Sequence, residues 1–558
     1  MIHISRKTIK ITFDSGIETT CYPETQIRNI IKKFDSLSKI NCLGALVNNK
    51  IVSLTYPVEV NSKISLLTLS DSHGNRIYRN SLSFLLNKAV CECCPDVALE
   101  IKHSLGSGFY CSFSDITSKY AINSMLKKIE AYMQKVIENK LPITRNKLYL
   151  KNALKYFSSK DRKDKCNLLR FQNPSKVTVY QCEDFIDLAH GVLVDNTKFL
   201  SEFKLVPYET GFILQFPEKE HTINVPDLKK YKHLFNIFKT YKEWGRTIGI
   251  KTVGDLNEII VRGNYQKMVE VEEAFQEKKI AEIADAIYTK RGSIKWVLNA
   301  GPSSSGKTTF AHRLATQIKV NGINPIIISV DNYFVDRNKT PLTESGEFDF
   351  EHIDTIDLKL LHKHLKLLDK GKTVELPVFD FIKGKQYRSG KKIQLAENEI
   401  VLIEGIHSLN PRMTESLPAE RKFKIYISAL TQLNLDNNSR ISTTDNRLLR
   451  RIIRDHRTRG NRALVTLRMW PNVRLGEKKW VFPHQHLADI AFSSALNYEL
   501  AVLKPLAEPL LAEVKPWHPQ YADAKRLQNF LKNFSSASVF PIPRKSLLRE
   551  FVGGGIIE

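Results

Sequence analysis

Residues 299–310 read Asn-Ala-Gly-Pro-Ser-Ser-Ser-Gly-Lys-Thr-Thr-Phe, and this stretch decides the fold of the chain. Four of its residues fit the phosphate-binding pattern G-x-x-x-x-G-K-[ST], namely Gly301, Gly306, Lys307 and Thr308. An apolar, strand-like run at 294–298 precedes it, and apolar residues at helical spacing begin at Phe310. The pattern requires this strand–loop–helix context, and a Gly/Ser-rich turn without a ligand is the alternative. We therefore predict a phosphate-binding loop between a strand and a helix.

The residue types in the loop explain how phosphates are held. Glycine lets the backbone approach a phosphate closely, and successive N–H groups and the start of the next helix attract its oxygens. Lys307 is predicted to reach the outer phosphates, and the Thr308 hydroxyl to join a Mg²⁺ shell. The residues expected to bind the phosphates are Gly301, Pro302, Ser303, Ser304, Ser305, Gly306, Lys307, Thr308 and Thr309.

Bulk composition narrows the class of protein. The 558 residues correspond to about three or four domains, and 42% hydrophobic with 26% charged residues is typical of a globular chain. No run approaches the about 20 apolar residues of a membrane span, and no apolar leader begins the sequence. All eight cysteines lie between Cys21 and Cys182 without a second C-x-x-C pair, which favours free thiols in a reducing compartment. We expect a cytoplasmic protein that does not contact a membrane.

Net charge is the second global signal. The formal charge of +25 attracts anions such as nucleic acids, nucleotides or acidic surfaces. Solvated surface lysines explain the same number equally well, because charge determines association rather than fold.

Patterning along the chain predicts an α/β protein with a parallel sheet around the loop. Strands and helices alternate over 293–515, as a parallel α/β sheet demands. The other segments are predicted as a small β-rich module at 1–69, a mixed α+β domain at 70–220, a helical linker at 221–292, and a helical then loop-like extension at 516–558. Within the first two segments the pattern indicates a hairpin with an Asn-Asn turn at 46–52, helices near 81–91 and 121–137, and strands near 176–182 and 211–216.

Several acids and aromatics follow the loop. Asp331 comes directly after an apolar strand at 326–330, on the edge where parallel sheets bind ligands, and could accept a proton from an attacking hydroxyl. Capping of a helix is the alternative for this aspartate. The run 348–357 mixes carboxylates that suit sugar hydroxyls with aromatics, and 377–381 offers two phenylalanine faces for base stacking. The strand 400–405 ends in an acid suited to Mg²⁺ or water.

An arginine-rich helix is the last feature of the predicted site. Within 447–459 the arginines recur at helical spacings of three and four, at Arg447, Arg450, Arg451 and Arg454. Such a face near a phosphate site can close as a lid and neutralise transferring charge. A solvated face or a nucleic-acid contact is the alternative.

Taken in order, these segments resemble the uridine kinase/phosphoribulokinase family, and the resemblance covers about residues 294–515. The resemblance implies a P-loop kinase that transfers a phosphoryl group from ATP, with Mg²⁺, to the 5′-hydroxyl of a nucleoside. It implies Asp331 as the catalytic base, assisted by Lys307, and Asp354 as the ligand of the ribose diol. It places Phe379 and Phe381 at the nucleoside wall, gives Glu404 and Thr308 to Mg²⁺, and makes Arg451, Arg454 and Arg459 the lid.

The chain departs from this family at the acceptor side. Known uridine kinases have Tyr where Phe379 stands, and their base-reading histidine has no counterpart in 382–388. Phosphoryl transfer is expected, whereas the preferred base stays open.

The front half resembles the beginning of threonyl-tRNA synthetases, with a TGS-like β-grasp module at 1–69 and an editing-like domain over 70–220. The editing family uses a His-x-x-x-His pair and a Cys-x-x-x-His pair. Asn80, Phe84, Ala189 and Leu193 stand at those positions and cannot serve as its ligands or acid–base groups. We predict that this domain does not hydrolyse mischarged tRNA.

The complete order is similar to a TGS-containing uridine kinase-like family. The favoured hypothesis is a nucleoside 5′-kinase with a small-molecule acceptor. One alternative is a kinase for another acceptor, such as a sugar phosphate. The other is an RNA-associated protein that contacts RNA or tRNA through its N-terminal half and uses the nucleotide as a switch.

Overall fold

The computed structural model describes residues 8–217, 232–344 and 346–557. Within these residues, every helix is too short or too polar to cross a bilayer. The eight cysteines are free thiols.

The first module is a five-stranded sheet in the order β2-β1-β7-β4-β5. Strands β1 and β7 run parallel at its centre, with antiparallel hairpins on both sides, as in a β-grasp arrangement. The predicted Asn-Asn turn is confirmed, since Asn48 and Asn49 have φ of 47° and 61° between β4 and β5. Its strands are β1 (Ile9–Phe13), β2 (Glu18–Cys21), β3 (Thr25–Gln26), β4 (Gly44–Val47), β5 (Lys50–Val52), β6 (Pro57–Val58) and β7 (Ser62–Leu67), and its helices are α1 (Ile27–Ile31) and α2 (Asp35–Ser38).

The second region builds two antiparallel sheets against two long helices. The sheet orders are β13-β14-β9-β8 and β10-β11-β12. The helices expected near 81–91 and 121–137 lie within α3 and α4, and the expected strands at 176–182 and 211–216 are β11 and β14. The elements are α3 (Ser72–Cys93), β8 (Leu99–Leu105), β9 (Gly108–Phe113), α4 (Lys119–Glu138), β10 (Thr144–Tyr149), α5 (Leu150–Ser159), α6 (Lys163–Gln172), β11 (Lys176–Cys182), β12 (Phe185–Leu188), β13 (Lys204–Tyr208) and β14 (Gly211–Gln215).

The segment expected to be a helical linker is helical in its described part, with helices α7 (Lys232–Thr247), α8 (Val253–Val261) and α9 (Tyr265–Thr289). Residues 221–231 lie outside the described residues. These helices are more than a linker, because Ile280, Ile283 and Ile287 of α9 are buried against Val297 and Phe310 of the parallel-sheet region. The apolar stripe of α9 therefore forms part of a core that its own segment cannot supply.

The predicted parallel α/β sheet is confirmed. Its five strands lie in the order β16-β19-β15-β20-β23, and every neighbouring pair is parallel. The elements in this part are β15 (Trp296–Ala300), α10 (Lys307–Val320), β16 (Asn324–Ser329), α11 (Leu358–Asp369), β17 (Val374–Asp380), β18 (Lys385–Ile393), β19 (Glu399–Glu404), α12 (Pro411–Thr414), β20 (Lys422–Ser428), β21 (Asn434–Asp436), β22 (Ser439–Arg440), α13 (Thr443–Arg459), α14 (Ala463–Trp480), β23 (Ile490–Ser493) and α15 (Glu499–Ala512).

The C-terminal extension is folded back onto this part of the chain. Helices α16 (Tyr521–Leu531) and α17 (Arg549–Val552) follow α15. Leu527, Leu531 and Phe551 are fully buried in the core that also contains Leu449 and Ile452 of α13.

The hairpin β21–β22 joins the parallel-sheet region to the N-terminal half. The Ile101 N–H donates to the Asn437 carbonyl over 2.8 Å, and Asn434 Nδ2 donates to the Ile101 carbonyl over 2.8 Å. Beside them, the Lys165 Nζ lies 2.7 Å from Asp187 Oδ1 and 3.4 Å from Asp436 Oδ1. Burial alone would raise the pKa of Asp436, but the Lys165 ammonium holds that pKa well below its usual range.

Replacing the buried cation of this junction is expected to destabilise the protein. Lys165→Met leaves two buried carboxylates without their partner, which costs about 3–5 kcal/mol. The matched control is Lys163→Met on the same helix, since that side chain is 86% exposed beside Asp161 and its loss leaves the unfolding midpoint unchanged. Urea unfolding measured by circular dichroism checks both variants, and equal midpoints for the two would contradict this account of the junction.

Candidate active site

The phosphate loop leaves the carboxyl end of β15, the central strand of the parallel sheet, and leads into α10. Glycine is required at both ends of the loop. A Cβ on Gly301 would lie 2.0 Å from the Ile427 carbonyl oxygen on β20, and Gly306 has φ of +84°. Ser304 also has a positive φ, of 58°, so the loop is tightly wound.

Several polar groups in and beside the loop are buried without a hydrogen-bond partner among the described residues. Ser304 Oγ, Ser305 Oγ and Asn299 Oδ1 are buried and make no hydrogen bond within the described residues. The Lys307 ammonium donates to the Pro302 carbonyl over 3.3 Å. Buried hydroxyls and a lysine folded onto its own loop are the donors that phosphate oxygens would satisfy. The residues present therefore fit a nucleotide phosphate chain.

Asp331 lies in a short 3-10 turn, Val330–Tyr333, directly after β16. It interacts electrostatically with Glu404 at the end of β19. Burial first, and then the Asp331 charge, raise the pKa of Glu404 to about 7, while Lys307 opposes this rise. The Ser329 hydroxyl donates to Glu404 Oε1 over 2.7 Å. The structure thus brings Asp331, Glu404 and Lys307 together at one edge of the sheet.

A third acid, Glu351, belongs to this cluster and was not among the site residues predicted from the sequence. Burial raises the pKa of Glu351 to about 7, with Arg451, Glu477, Lys307 and Asp331 as its charged neighbours. Its Oε2 is buried without a hydrogen-bond partner among the described residues. Its position in the acid- and aromatic-rich run 348–357 was the available signal.

The fit of a Mg²⁺ ion rests on the same acids. Asp331 repels both Glu351 and Glu404, and a cation would relieve that repulsion. Thr308 is exposed at the start of α10. In the described part of the chain, no group of three or more His, Cys, Asp and Glu residues is arranged as a metal cage. An ion held by Thr308 and Glu404 would need nucleotide oxygens and water as further ligands, as Mg²⁺ commonly has.

Three phenylalanine rings form a wall beside Asp331. The ring centroid of Phe379 lies 5.6 Å from that of Phe334 and 5.1 Å from that of Phe381. The guanidinium of Arg459 stands 5.9 Å from the Phe381 ring centroid. Burial lowers the pKa of Arg459, and the Asp331 carboxylate acts in the opposite direction. Asp331 and the predicted wall residues therefore share Arg459 as a common neighbour.

Asp354 has different partners. Its Oδ1 accepts from Arg412 Nη2 over 2.6 Å, and both side chains are 49% exposed. His352 Nδ1 lies 3.7 Å from Asp354 Oδ2. The contacts of Asp354 therefore join it to Arg412 and His352 rather than to the phosphate loop.

Two arginines of the predicted lid face are buried struts. Arg447 pairs with Glu477 of α14 and donates to the Ser303 carbonyl over 2.9 Å, and Arg450 pairs with Glu499 of α15. Their side chains are 1% and 0% exposed. Leu449 and Ile452 of the same helix lie in a hydrophobic core and fix the helix in place. These two arginines therefore cannot close over a ligand as a lid would.

The remaining lid residues gather around Asp455. Arg451 Nη1 donates to Ser303 Oγ over 2.8 Å, and its Nε lies 3.2 Å from Asp455. Arg454 and Arg459 reach Asp455 at 2.8 Å and 3.5 Å. Arg451 is thus the predicted lid residue that contacts the loop, while Arg459 lies at the phenylalanine wall and Arg454 is paired with Asp455.

Two carboxylates contact backbone donors of the loop, and neither was singled out from the sequence. Glu477 Oε1 accepts from the Ser303 N–H over 3.0 Å. Glu550, from α17, accepts from the Thr309 N–H over 3.3 Å and from the Thr309 hydroxyl over 2.9 Å. No local pattern marks either residue, because each reaches the loop only through the tertiary fold.

The editing-like region places apolar groups where the editing family has ligands. Phe84 is 5% exposed with its ring centroid 5.2 Å from that of Phe185, and Leu193 is fully buried. Asn80 faces Gly191, where an added Cβ would come within 2.7 Å of its Nδ2. Phe84 and Leu193 therefore belong to the hydrophobic core of this region.

Comparisons with known proteins separate the two halves of the chain. Residues 298–500 match the model of the Phosphoribulokinase / Uridine kinase family. The chain is also similar to threonine–tRNA ligases, being 30% identical over 244 residues to that of Desulforamulus reducens, which covers 40% of this chain and 38% of the ligase. For the ligase of Clostridium kluyveri the identity is 31% over 201 residues, covering 36% and 31%. The chain thus spans about a third of the length of the curated relatives it matches.

One solved structure, described as a possible uridine kinase from Bacillus stearothermophilus, is 18% identical with a TM-score of 0.27, covering 39% of this chain and 98% of that one. The phosphate loop, the parallel sheet and the family match coincide in the same part of the chain. Residues 298–500 therefore match the Phosphoribulokinase / Uridine kinase family model and contain a phosphate loop on a parallel sheet, behind an N-terminal half similar to threonine–tRNA ligases.

Proposed function

We propose that this protein phosphorylates the 5′-hydroxyl of a nucleoside with ATP. The observation that carries the proposal is the placement of Asp331, whose charge acts both on Glu404 at the loop and on Arg459 at the phenylalanine wall. A carboxylate between a phosphate site and an aromatic wall is where a general base must stand to serve both substrates.

The residues divide the work of an in-line displacement. The loop at 301–309 holds the phosphate chain, and Lys307 turns from the Pro302 carbonyl toward the outer phosphates. Asp331 accepts the proton of the attacking hydroxyl. Thr308 and Glu404 would hold Mg²⁺, which supplies charge neutralisation on the phosphate oxygens. Arg451, already bonded to Ser303, adds positive charge beside the loop.

The acceptor side supports a flat, largely apolar group. Phe379 and Phe381 offer stacking faces, and Phe381 is 50% exposed. Asp354, assigned to the sugar hydroxyls, would have to exchange its bond with Arg412 for bonds to a diol. Since both partners are half exposed, this exchange costs little.

A panel of acceptors tests the proposal directly. The full chain is incubated with γ-labelled ATP, Mg²⁺ and each of the common ribonucleosides, deoxyribonucleosides and sugar phosphates. Label on a nucleoside 5′-position is the expected result. Label on a sugar phosphate alone would keep the kinase chemistry and replace the acceptor, and hydrolysis without any labelled acceptor would overturn the proposal.

Asp331→Asn is expected to lower phosphoryl transfer by about 10²–10⁴-fold and to leave the dissociation constant for ATP unchanged, because the base acts on the acceptor. Initial rates and calorimetric titration measure the two quantities. The control is Asp336→Asn, whose oxygen accepts from the Gln386 N–H over 3.0 Å and still can as an amide. Equal loss of rate and ATP affinity in Asp331→Asn would show a structural role instead.

A second candidate is an RNA-associated protein in which the nucleotide acts as a switch. It is supported by the similarity to threonine–tRNA ligases and by the formal charge of +25. It requires RNA binding that weakens steeply with salt, together with nucleotide hydrolysis in the absence of an acceptor.

For the N-terminal half we expect no deacylation of mischarged threonine-specific tRNA. The reason is that Phe84, Ala189 and Leu193 provide neither an acid–base group nor a ligand. Release of the labelled amino acid over time is the measurement, with an active editing enzyme as the positive control. Turnover above the uncatalysed rate would contradict this prediction.

A further inference from the structure

The C-terminal segment places a carboxylate on the phosphate loop. Glu550 Oε2 accepts from both the N–H and the hydroxyl of Thr309, in the first turn of α10. In a loop of this pattern the backbone N–H groups at the start of the helix bind the inner phosphates of a nucleotide. One carboxylate oxygen therefore occupies two donors that a phosphate would use.

The segment that carries Glu550 is firmly anchored on both sides. Leu548 and Phe551 are fully buried, and the Phe551 ring centroid lies 4.8 Å from the Arg450 guanidinium. Arg457 Nη2 donates to the Glu550 carbonyl over 3.0 Å, and Arg549 Nη2 donates to the Ile542 carbonyl over 2.6 Å. The backbone is thus fixed, and only the half-buried side chain of Glu550 has to rotate to release Thr309.

The charge of Glu550 also acts on the acids of the site. It adds to the effects of burial and of Asp331 in raising the pKa of Glu404. In the absence of a cation, the site therefore already contains several mutually repelling carboxylates. A phosphate group arriving beside Glu550 meets a like charge at hydrogen-bonding distance.

We propose that Glu550 is an intramolecular latch on the nucleotide site, which a nucleoside di- or triphosphate must displace in order to bind. This inference rests on the proposed nucleotide binding by the loop, but not on phosphoryl transfer. The latch lowers nucleotide affinity and couples occupation of the loop to the position of the Glu550 side chain. A purely structural helix cap is the competing role, since Gly306 at the N-cap of α10 has no side chain to satisfy the Thr309 N–H.

The variant Glu550→Gln separates these roles. The amide oxygen can still accept from Thr309, so the cap is preserved while the charge is lost. We expect ADP to bind about tenfold or more tightly to this variant than to the wild-type full chain, as measured by isothermal titration calorimetry. Glu550→Ala, which removes both the charge and the acceptor, is expected to show a gain of the same sign, and thermal unfolding checks that both variants are folded.

The matched control is Glu420→Gln. Glu420 is exposed just before β20, at the sheet edge opposite the phosphate loop, so loss of its charge leaves ADP affinity unchanged. The double variant Lys307→Ala/Glu550→Gln is expected to bind ADP no more tightly than the wild-type chain, because the gain in ADP affinity arises at the loop.

ADP affinity in Glu550→Gln that equals or falls below the wild-type value overturns the latch, and lowered thermal stability with that result assigns Glu550 to helix capping. A gain in affinity without any labelled acceptor in the kinase panel keeps the latch and removes the proposed kinase activity. Absence of ADP binding to every variant overturns both.

Discussion

The phosphate loop is held in place by the guanidinium groups of two buried arginines. Arg447 and Arg450 lie at successive turns of α13, each paired with a buried glutamate and each directed at a carbonyl of the loop. A buried arginine with a matched carboxylate and further acceptors is rigid, because any displacement leaves a desolvated charge unpaired. The loop, α13, α14 and α15 are therefore rigidly connected as one unit. The other residues of the site are positioned relative to this unit.

This unit is bonded both to the N-terminal half and to the C-terminal extension. Asp445, at the start of α13, accepts from Arg526 of α16 over 2.8 Å and from Arg76 of α3 over 3.3 Å. The hairpin before α13 carries Asp436 into the N-terminal half, where Lys165 neutralises it. The N-terminal half thus contacts the segment around the arginine-rich helix α13 at two buried carboxylates, Asp436 and Asp445.

The electrostatics of the site are unbalanced in a way that suits its proposed ligands. Two acids, Glu351 and Glu404, share Lys307 as a nearby cation and Asp331 as a nearby carboxylate, and each has a pKa raised to about 7. Burial penalises their charged forms, and mutual repulsion adds to the penalty. A nucleotide with Mg²⁺ brings both the cation that relieves the acids and the anion that engages the loop donors.

The phosphate loop and the parallel sheet could be predicted from the amino-acid sequence alone. These follow from local rules: glycines at the spacing of a phosphate-binding loop, apolar strands before acids, and a turn at Asn48 and Asn49. Only the tertiary structure decided which arginines are struts, that Asp354 is joined to Arg412, and that Glu477 and Glu550 contact the loop. The sequence predicts only a helical linker for the helices at 232–289, because their burial depends on the sheet that they cover. Periodicity reports which face of an element is apolar. The partner of a buried polar or charged side chain is instead set by segments 30 to 241 residues away along the chain, as for Arg447 with Glu477 and Thr309 with Glu550.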